Sequence, residues 1–288
     1  MNPFTKQIAQ LNMRNHNYRL FVMDVLGLFL KQDLGAGDKT TQLLKNPAQK
    51  IQAEVIAKEM GVLSGMEEVE FFLRKKDVRV LRREKDGSVC VKNKVVLKIE
   101  ASAQKILTLE RTILNLLQRM SGIATSANKL AQKIGFQKFS ATRKTPLGLL
   151  DTKAVITGGG LPHRLSLADM ILMKENHIKA DADCWKKIPL NSQNFFEIEA
   201  NNVKLAIEIT KHFAKSKKLI LLLDNFTTRQ LSKLIPQLHQ INPRVILEAS
   251  GGITTKNAKQ FLKSGVDFIS LGALTHSVKA LDFSLRVI

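Results

Sequence analysis

The side chains best suited to chemistry recur at one kind of place, directly after an apolar, strand-like run. Thr142-Arg143-Lys144 closes the run that starts at Phe139, and Lys174 follows Met170 to Met173. Glu199 follows Phe195 to Ile198, and Asp224 follows Leu219 to Leu223. Glu248 and then Ser250-Gly251-Gly252 follow Arg244 to Leu247, and Gly272-Ala273 follows Val266 to Leu271. Arg143, Lys144, Lys174 and the His163-Arg164 pair supply cationic or potentially cationic groups. They are too many for one monoanion and suit a polyanion, or two anionic substrates together. The carboxylates Glu199 and Asp224 suit Mg²⁺ carried on a diphosphate, or the stabilisation of a developing positive charge. The glycine turns at Ser250-Gly251-Gly252 and Gly272 precede helical segments, where backbone N–H groups can approach a phosphate closely. Gly158-Gly159-Gly160 reads as a flexible loop that delivers His163 and Arg164. A single polar strand end, a tight glycine turn or an entropic linker would each be unremarked alone; the succession carries the signal.

The elements that must position these groups are strands alternating with helices. Thr227 to Gln230 reads as a capping box opening a helix, Thr254 as a helix N-cap, and Gly265 as a helix-ending glycine. Repeated βα units build a parallel sheet, closed or nearly closed into a barrel, with all C-terminal strand ends on one face. The texture differs before residue 105. Ile51 to Ala57 and Val95 to Ile99 alternate as half-buried antiparallel strands do. From Ile106 to about Ile134, Leu109, Ile113, Leu116, Leu117 and Met120 recur at helical spacing, and Gly122 is expected to break or bend that helix.

Bulk properties remove several classes. The 288 residues are 44% hydrophobic and 24% charged, as in ordinary globular proteins. No apolar run approaches the roughly 20 residues of a membrane span, and the N-terminus lacks a secretory pattern. Cys90 and Cys184 form no metal or disulfide motif, which leaves a reducing cytoplasm as the default compartment. Walker and HExxH patterns are missing. The net charge of +20 fits nucleic-acid binding, anionic small substrates or a lysine-rich solvated surface. With one Trp and one Tyr, the chain lacks the aromatic interleaving of a nucleic-acid binder. A Schiff-base aldolase built on Lys174 is a further alternative, against which the crowd of arginines and the glycine turns argue.

In order along the chain, several segments closely resemble quinolinate phosphoribosyltransferases. They are Asp33 to Thr41, Glu110 to Gln118 with Ser121 to Thr125, Thr142 to Thr145, Gly158 to Gly160 with His163-Arg164, and Lys174 to Ile178. The others are Glu197 to Glu199, Leu223 to Phe226, Glu248 to Ile253 and Gly272 to Ser277. The resemblance implies an α/β fold: an N-terminal α/β sandwich over 1–115, joined by 275–288, and an open α/β barrel over 116–274, with a final helix around Ser277 to Leu285. It implies transfer of a phosphoribosyl group from phosphoribosyl pyrophosphate to quinolinate, with decarboxylation to nicotinate mononucleotide, Mg²⁺ and NAD biosynthesis. By the same resemblance Arg143, His163, Arg164 and Lys174 clamp the quinolinate carboxylates, with Thr142 beside them. Lys144 reaches between the two substrates, and Glu199 and Asp224 face ribose and Mg²⁺ and, with Lys144, are the catalytic groups. Ser250, Gly251, Gly252, Gly272 and His276 hold the 5′-phosphate. Arg111 reaches the site of a neighbouring subunit, making a homodimer or higher oligomer, with no membrane or nucleic-acid partner. The stretch after Arg143-Lys144, Thr145-Pro146-Leu147-Gly148, is shorter than the family's usual pattern and bears on pyridine selectivity. A related phosphoribosyltransferase of the kind found in molybdenum-transport operons, acting on another substrate, is the alternative.

Overall fold

The computed structural model describes residues 3–288. In chain order the first part runs α1 (Thr5–Gln10), α2 (His16–Leu34), β1 (Lys50–Ala57), β2 (Gly61–Val62), α3 (Met66–Lys75), β3 (Arg79–Arg83), β4 (Val89–Cys90) and β5 (Val95–Ser102). The long α4 (Ala103–Ile134), β6 (Phe139–Ser140), α5 (Leu149–Thr157), β7 (Ile171–Met173) and α6 (Glu175–Ala180) follow. Then come β8 (Phe196–Ala200), α7 (Val203–His212), β9 (Leu219–Asp224), α8 (Thr228–Ile241), β10 (Ile246–Ser250), α9 (Ala258–Lys263), β11 (Phe268–Ser270), α10 (Ala273–His276) and β12 (Phe283–Val287). The expected strand runs from Phe139 onward all contain strands, and Ile51 to Ala57 and Val95 to Ile99 pair antiparallel. Among the described residues, no helix is long and apolar enough to cross a membrane.

Two compact units form, and neither is continuous in sequence. One combines the N-terminal stretch through Gln7 with Leu130–Arg143 and Gly160–Ala273; the other holds Ile8–Lys129, Lys144–Gly159 and Leu274–Ile288. The second unit therefore keeps most of α4, rather than ending near residue 115. The reason is local packing: the Val62 N–H donates to Thr125 Oγ1 at 2.9 Å and the Ser64 N–H to Ser121 Oγ at 3.1 Å.

In this second unit the antiparallel order is β12-β1-β5-β3. Buried Ala53 and Val55 face Ile99 and Leu97 in register. Of the final helix expected around Ser277 to Leu285, no residue is helical: α10 ends at His276, and from Phe283 the chain forms β12, which pairs with the edge of β1, where Arg286 meets Glu54 at 2.9 Å. Leu285 and Val287 alternate with Ser284 and Arg286, which suits a half-buried edge.

Gly122 does not break α4, which runs unbroken over 32 residues. A Cβ at Gly122 would meet the Lys279 carbonyl oxygen at 2.2 Å, so the residue is glycine to let a backbone segment approach. Gly122→Ala is therefore expected to lower stability by about 1–3 kcal/mol in denaturant unfolding, because overpacking against backbone outweighs alanine's better helix propensity. A stability gain would contradict the close approach.

The first unit carries a six-stranded, all-parallel sheet in the order β6-β11-β10-β9-β8-β7. A further parallel bridge joins Ser140 to Leu161. The capping box at Thr227 and Gln230 opens α8, and Gly265 takes φ +103° after α9, both as expected. Thr254 does not cap α9 directly. Its hydroxyl accepts the Lys256 and Asn257 N–H groups in the turn ahead of that helix, whose N-cap is Asn257.

Candidate active site

Strand alternation and parallel register decide which side chains share a face. Glu197 pairs with Leu172 and Ile220, Glu199 with Leu222, and Ser250 with Asp224. Glu248 pairs with Leu222 and Phe268, and Ser270 with Ser140. One face of the sheet therefore has three tiers. An apolar floor of Ile220, Phe268, Met170 and Leu161 is closed by Phe4 from the N-terminal stretch, which is 0% exposed. Above it a buried row carries Leu172, Glu197, Leu222, Glu248, Ser270 and Ser140. Two residues further along the same strands come Lys174, Glu199, Asp224, Ser250, Gly272 and Thr142. These are the expected strand-end groups, at the end of a parallel sheet where active sites form.

The carboxylates of this outer row interact. Glu199 is half-buried on β8, beside Asp224 on β9. Burial pushes the Glu199 carboxyl up, the Glu175 N–H at 3.2 Å pulls it back, and the Asp224 carboxylate pushes it up again. Two acids arranged with a like-charge penalty fit a divalent cation, which would relieve it.

At the end of β10 the turn is tight. Gly251 takes φ +89°, and a Cβ there would meet Asn225 Oδ1 at 2.1 Å. The Asn225 N–H donates to the Ser250 carbonyl at 2.9 Å, and its side-chain amide donates to Asp224 at 2.7 Å. Gly252, at φ +62°, faces open space. The glycines thus press the β9 and β10 ends together and leave the turn accessible.

The cations gather around the same rim. Arg143 and Lys174 are exposed and, among the described residues, form no ion pair. Arg164 is buried, 8% exposed, and donates from Nη1 to the Met170 carbonyl at 3.2 Å, while its Nε has no hydrogen-bond partner among the described residues. Burial lowers the Arg164 pKa first, and the Arg143 guanidinium lowers it further. Asp169 holds the loop after Arg164 by accepting the Leu165 and Ser166 N–H groups at 2.6 and 3.0 Å. Lys174 has extended backbone, and its N–H donates to His177 Nδ1 at 3.0 Å.

Two expectations about the approach to this rim need correction. Gly158 is not part of a flexible linker: it is buried at the end of α5, where a Cβ would meet Ala124 O at 2.5 Å. His163 is not an open cation either. It is 8% exposed, and both ring nitrogens lie against groups of this chain.

Arg111, Lys144 and His276 belong to the second compact unit. Arg111 is exposed on α4 and lines an open pocket of about 480 Å³ with Asp33, Asn115 and Arg119. Two turns along the same helix, Arg119 forms a bidentate pair with buried Asp151 at 2.8 and 2.7 Å and donates to the Thr275 carbonyl at 2.9 Å. Thr145 donates to the same carboxylate. The Thr275 hydroxyl donates to the Lys144 carbonyl at 2.9 Å, so the shortened loop after Lys144 is pinned. His276 is exposed, with Nδ1 2.7 Å from Ser277 Oγ. Sequence reasoning missed Arg119 and Asp151. The signal was there in part: Arg119 follows Arg111 by about two turns of one helix, on the same half of its surface, and both line the same pocket.

Comparison with known proteins agrees with this geometry. A family model described as the N-terminal domain of quinolinate phosphoribosyl transferase matches residues 38–121, and its C-terminal counterpart matches 123–286. The chain is 35% identical over 275 residues to a probable nicotinate-nucleotide pyrophosphorylase [carboxylating] of Bacillus subtilis, covering 91% of this chain and 92% of that one. It is 34% identical over 252 residues to the Archaeoglobus fulgidus protein of the same description, covering 84% and 96%. The solved nicotinate-nucleotide pyrophosphorylase from Francisella tularensis superimposes with a TM-score of 0.83 at 33% identity, covering 94% of this chain and 97% of that one.

Proposed function

The chain belongs to the quinolinate phosphoribosyltransferase family, and from that membership we propose its reaction and the parts its residues play. It is a pentosyltransferase that joins quinolinate to the phosphoribosyl group of phosphoribosyl pyrophosphate. Pyrophosphate and CO₂ leave, and nicotinate mononucleotide enters NAD biosynthesis. One observation carries the reading beyond resemblance. Arg164 and Arg143 lie near enough at the strand ends for their repulsion to add to burial in lowering the Arg164 pKa, and among the described residues neither forms an ion pair. A dicarboxylate relieves that repulsion, and a monoanion does so only in part.

Arg143, Arg164 and Lys174 hold the two carboxylates, with Thr142 beside them, so that the ring nitrogen faces C1 of the donor. The C1–N bond forms as the C1–oxygen bond to pyrophosphate breaks, and the leaving group takes the electron pair. Glu199 and Asp224 face the ribose and favour positive charge at C1. They would also hold Mg²⁺, which when bound neutralises charge on the departing pyrophosphate. The bond to the ring 2-carboxylate then breaks with its electrons left on carbon, CO₂ departs, and a solvent proton completes the ring. Ser250, Gly251, Gly252 and Gly272 offer backbone N–H groups to the 5′-phosphate, with His276 at its edge.

Lys144, next in the chain after Arg143, bridges the two substrates. Arg111 serves the site of a second copy of the chain, so the working enzyme is at least a homodimer. Cys90 and Cys184 are both free, which suits a reducing cytoplasm. Quinolinate labelled in its 2-carboxylate should release labelled CO₂ and pyrophosphate one for one, only when phosphoribosyl pyrophosphate is present. Pyrophosphate released without CO₂ would contradict the decarboxylating step.

A further inference from the structure

Lys144 and His276 have parts at two ends of the phosphoribosyl donor in the proposed reaction. They are distant in sequence, and buried bonds that the reaction itself does not use tie them together. The link starts at Thr275, the residue before His276, which is 0% exposed. Its hydroxyl donates to the Lys144 carbonyl at 2.9 Å, across 131 residues of chain. Its own carbonyl accepts from Arg119 Nη2 at 2.9 Å. The same guanidinium grips both oxygens of Asp151, Nε to Oδ1 at 2.8 Å and Nη2 to Oδ2 at 2.7 Å. Thr145 closes the circuit: its hydroxyl donates to Asp151 Oδ2, and a peptide bond joins it to Lys144. The five residues form a closed ring, wholly within the second compact unit.

Fastening α5 to α4 would need only the Arg119–Asp151 ion pair. The bonds continue instead onto two backbone carbonyls, one at Lys144 and one next to His276, and so fix the points from which both side chains start. The Asp151 side chain is 0% exposed, so its charge is met inside the protein, by a bidentate guanidinium and a hydroxyl. Its place in the first turn of α5 adds the favourable end of the helix dipole. Charge-assisted bidentate bonds are strong and directional, and a buried network weakens as a whole when one member is lost.

α4 is the rail against which the ring is built. Beyond His276 the chain stays on that helix. The Lys279 carbonyl packs against Gly122, the Leu281 N–H donates to the Gln118 carbonyl at 2.9 Å, and Gln118 Nε2 donates to the Phe283 carbonyl at 3.2 Å. His276 therefore leaves from a segment held on both sides. On the Lys144 side, the Leu147 N–H donates to the Thr145 hydroxyl at 3.2 Å, which folds the loop back on the ring.

We infer that Arg119, Asp151 and Thr275 are positioning residues: through this ring they hold Lys144 and His276 at a fixed spacing, so that the group bridging the substrates and the group at the 5′-phosphate move only together. The inference rests on the parts proposed for Lys144 and His276, and adds what sets them. The quinolinate clamp stands outside the ring, because Arg143, Arg164 and Lys174 belong to the other compact unit. Loosening the ring should tell on the donor and not on quinolinate.

Removing Arg119 or Asp151 outright would strand a partner charge and endanger the fold. The first variant is therefore Thr275→Val, which keeps the side-chain shape and loses one hydroxyl. Without substrate, hydrogen exchange read by mass spectrometry should quicken in peptides covering 144–150 and 273–279 and stay unchanged in a peptide covering β7. In steady state, Thr275→Val should lower kcat/KM for phosphoribosyl pyrophosphate about tenfold or more, with the quinolinate KM within about twofold of wild type. Thr275→Ser, which restores the donor, should match wild type in both measurements. Combining Thr275→Val with Asp151→Asn should cost less than the product of the two separate losses, because both break the same ring. Unchanged exchange in a folded Thr275→Val protein, faster exchange with no loss of kcat/KM for the donor, a quinolinate KM that rises as far as the donor's, or fully multiplicative losses would each overturn the inference. Wild-type protein that transfers no phosphoribosyl group to quinolinate would strike the proposed reaction instead, and the exchange rates would still decide whether the ring holds the two segments.

Discussion

Arg164→Ala should lower kcat/KM for quinolinate by about 10²- to 10³-fold, the cost of removing one partner from a desolvated, hydrogen-bonded charge pair. The fold should survive the change. Among the described residues Arg164 forms no ion pair, and its side chain donates to the Met170 carbonyl. Arg164→Lys should recover little, because an ammonium cannot reproduce a planar fork against a carboxylate. The effect should appear in KM as well as kcat, since a misaligned dicarboxylate both binds less tightly and presents its nitrogen poorly to C1. Steady-state kinetics alongside a thermal unfolding curve checks this. A folded Arg164→Ala protein with near-normal kcat/KM would remove the cationic clamp from the account.

The second large effect concerns subunits. Arg111→Ala and Lys144→Ala should each be inactive alone, yet a one-to-one mixture allowed to exchange subunits should regain about a quarter of wild-type activity. Half the dimers would be mixed, and each mixed dimer would rebuild one complete site of two. Arg111 suits a role outside its own chain's pairing: it is exposed, forms no ion pair among the described residues, and lines an open pocket on α4. No recovery after confirmed exchange would place both groups in one subunit's site.

The sequence made the outer row legible because chemistry and local pattern coincide there. Polar residues after short apolar runs announced Lys174, Glu199, Asp224 and Ser250 without knowledge of strand order. It also exposed α4, whose apolar residues keep helical spacing over many turns. What it hid depends on partners distant in the chain. Gly122 looked like a break because the Lys279 carbonyl that requires it lies far along the sequence. The resemblance implied a helix around Ser277 to Leu285, whereas the chain from Phe283 is a strand whose ladder partner is β1, at the other end of the protein. Glu197 and Glu248 sit two residues before recognised groups and point the same way. They escaped attention because a buried acid is read as part of a motif until its neighbours are known. His163, beside Arg164, looked like an open cation, and only the fold shows its ring held between the Arg164 N–H and Glu197.

The central claim is that this face selects a pyridine dicarboxylate and removes one of its carboxylates. An assay of quinolinate against nicotinate, each with phosphoribosyl pyrophosphate and Mg²⁺, tests it most directly. Quinolinate should yield nicotinate mononucleotide, pyrophosphate and CO₂, and nicotinate should yield nothing. Nicotinate mononucleotide formed from nicotinate, with quinolinate inert, would contradict the account.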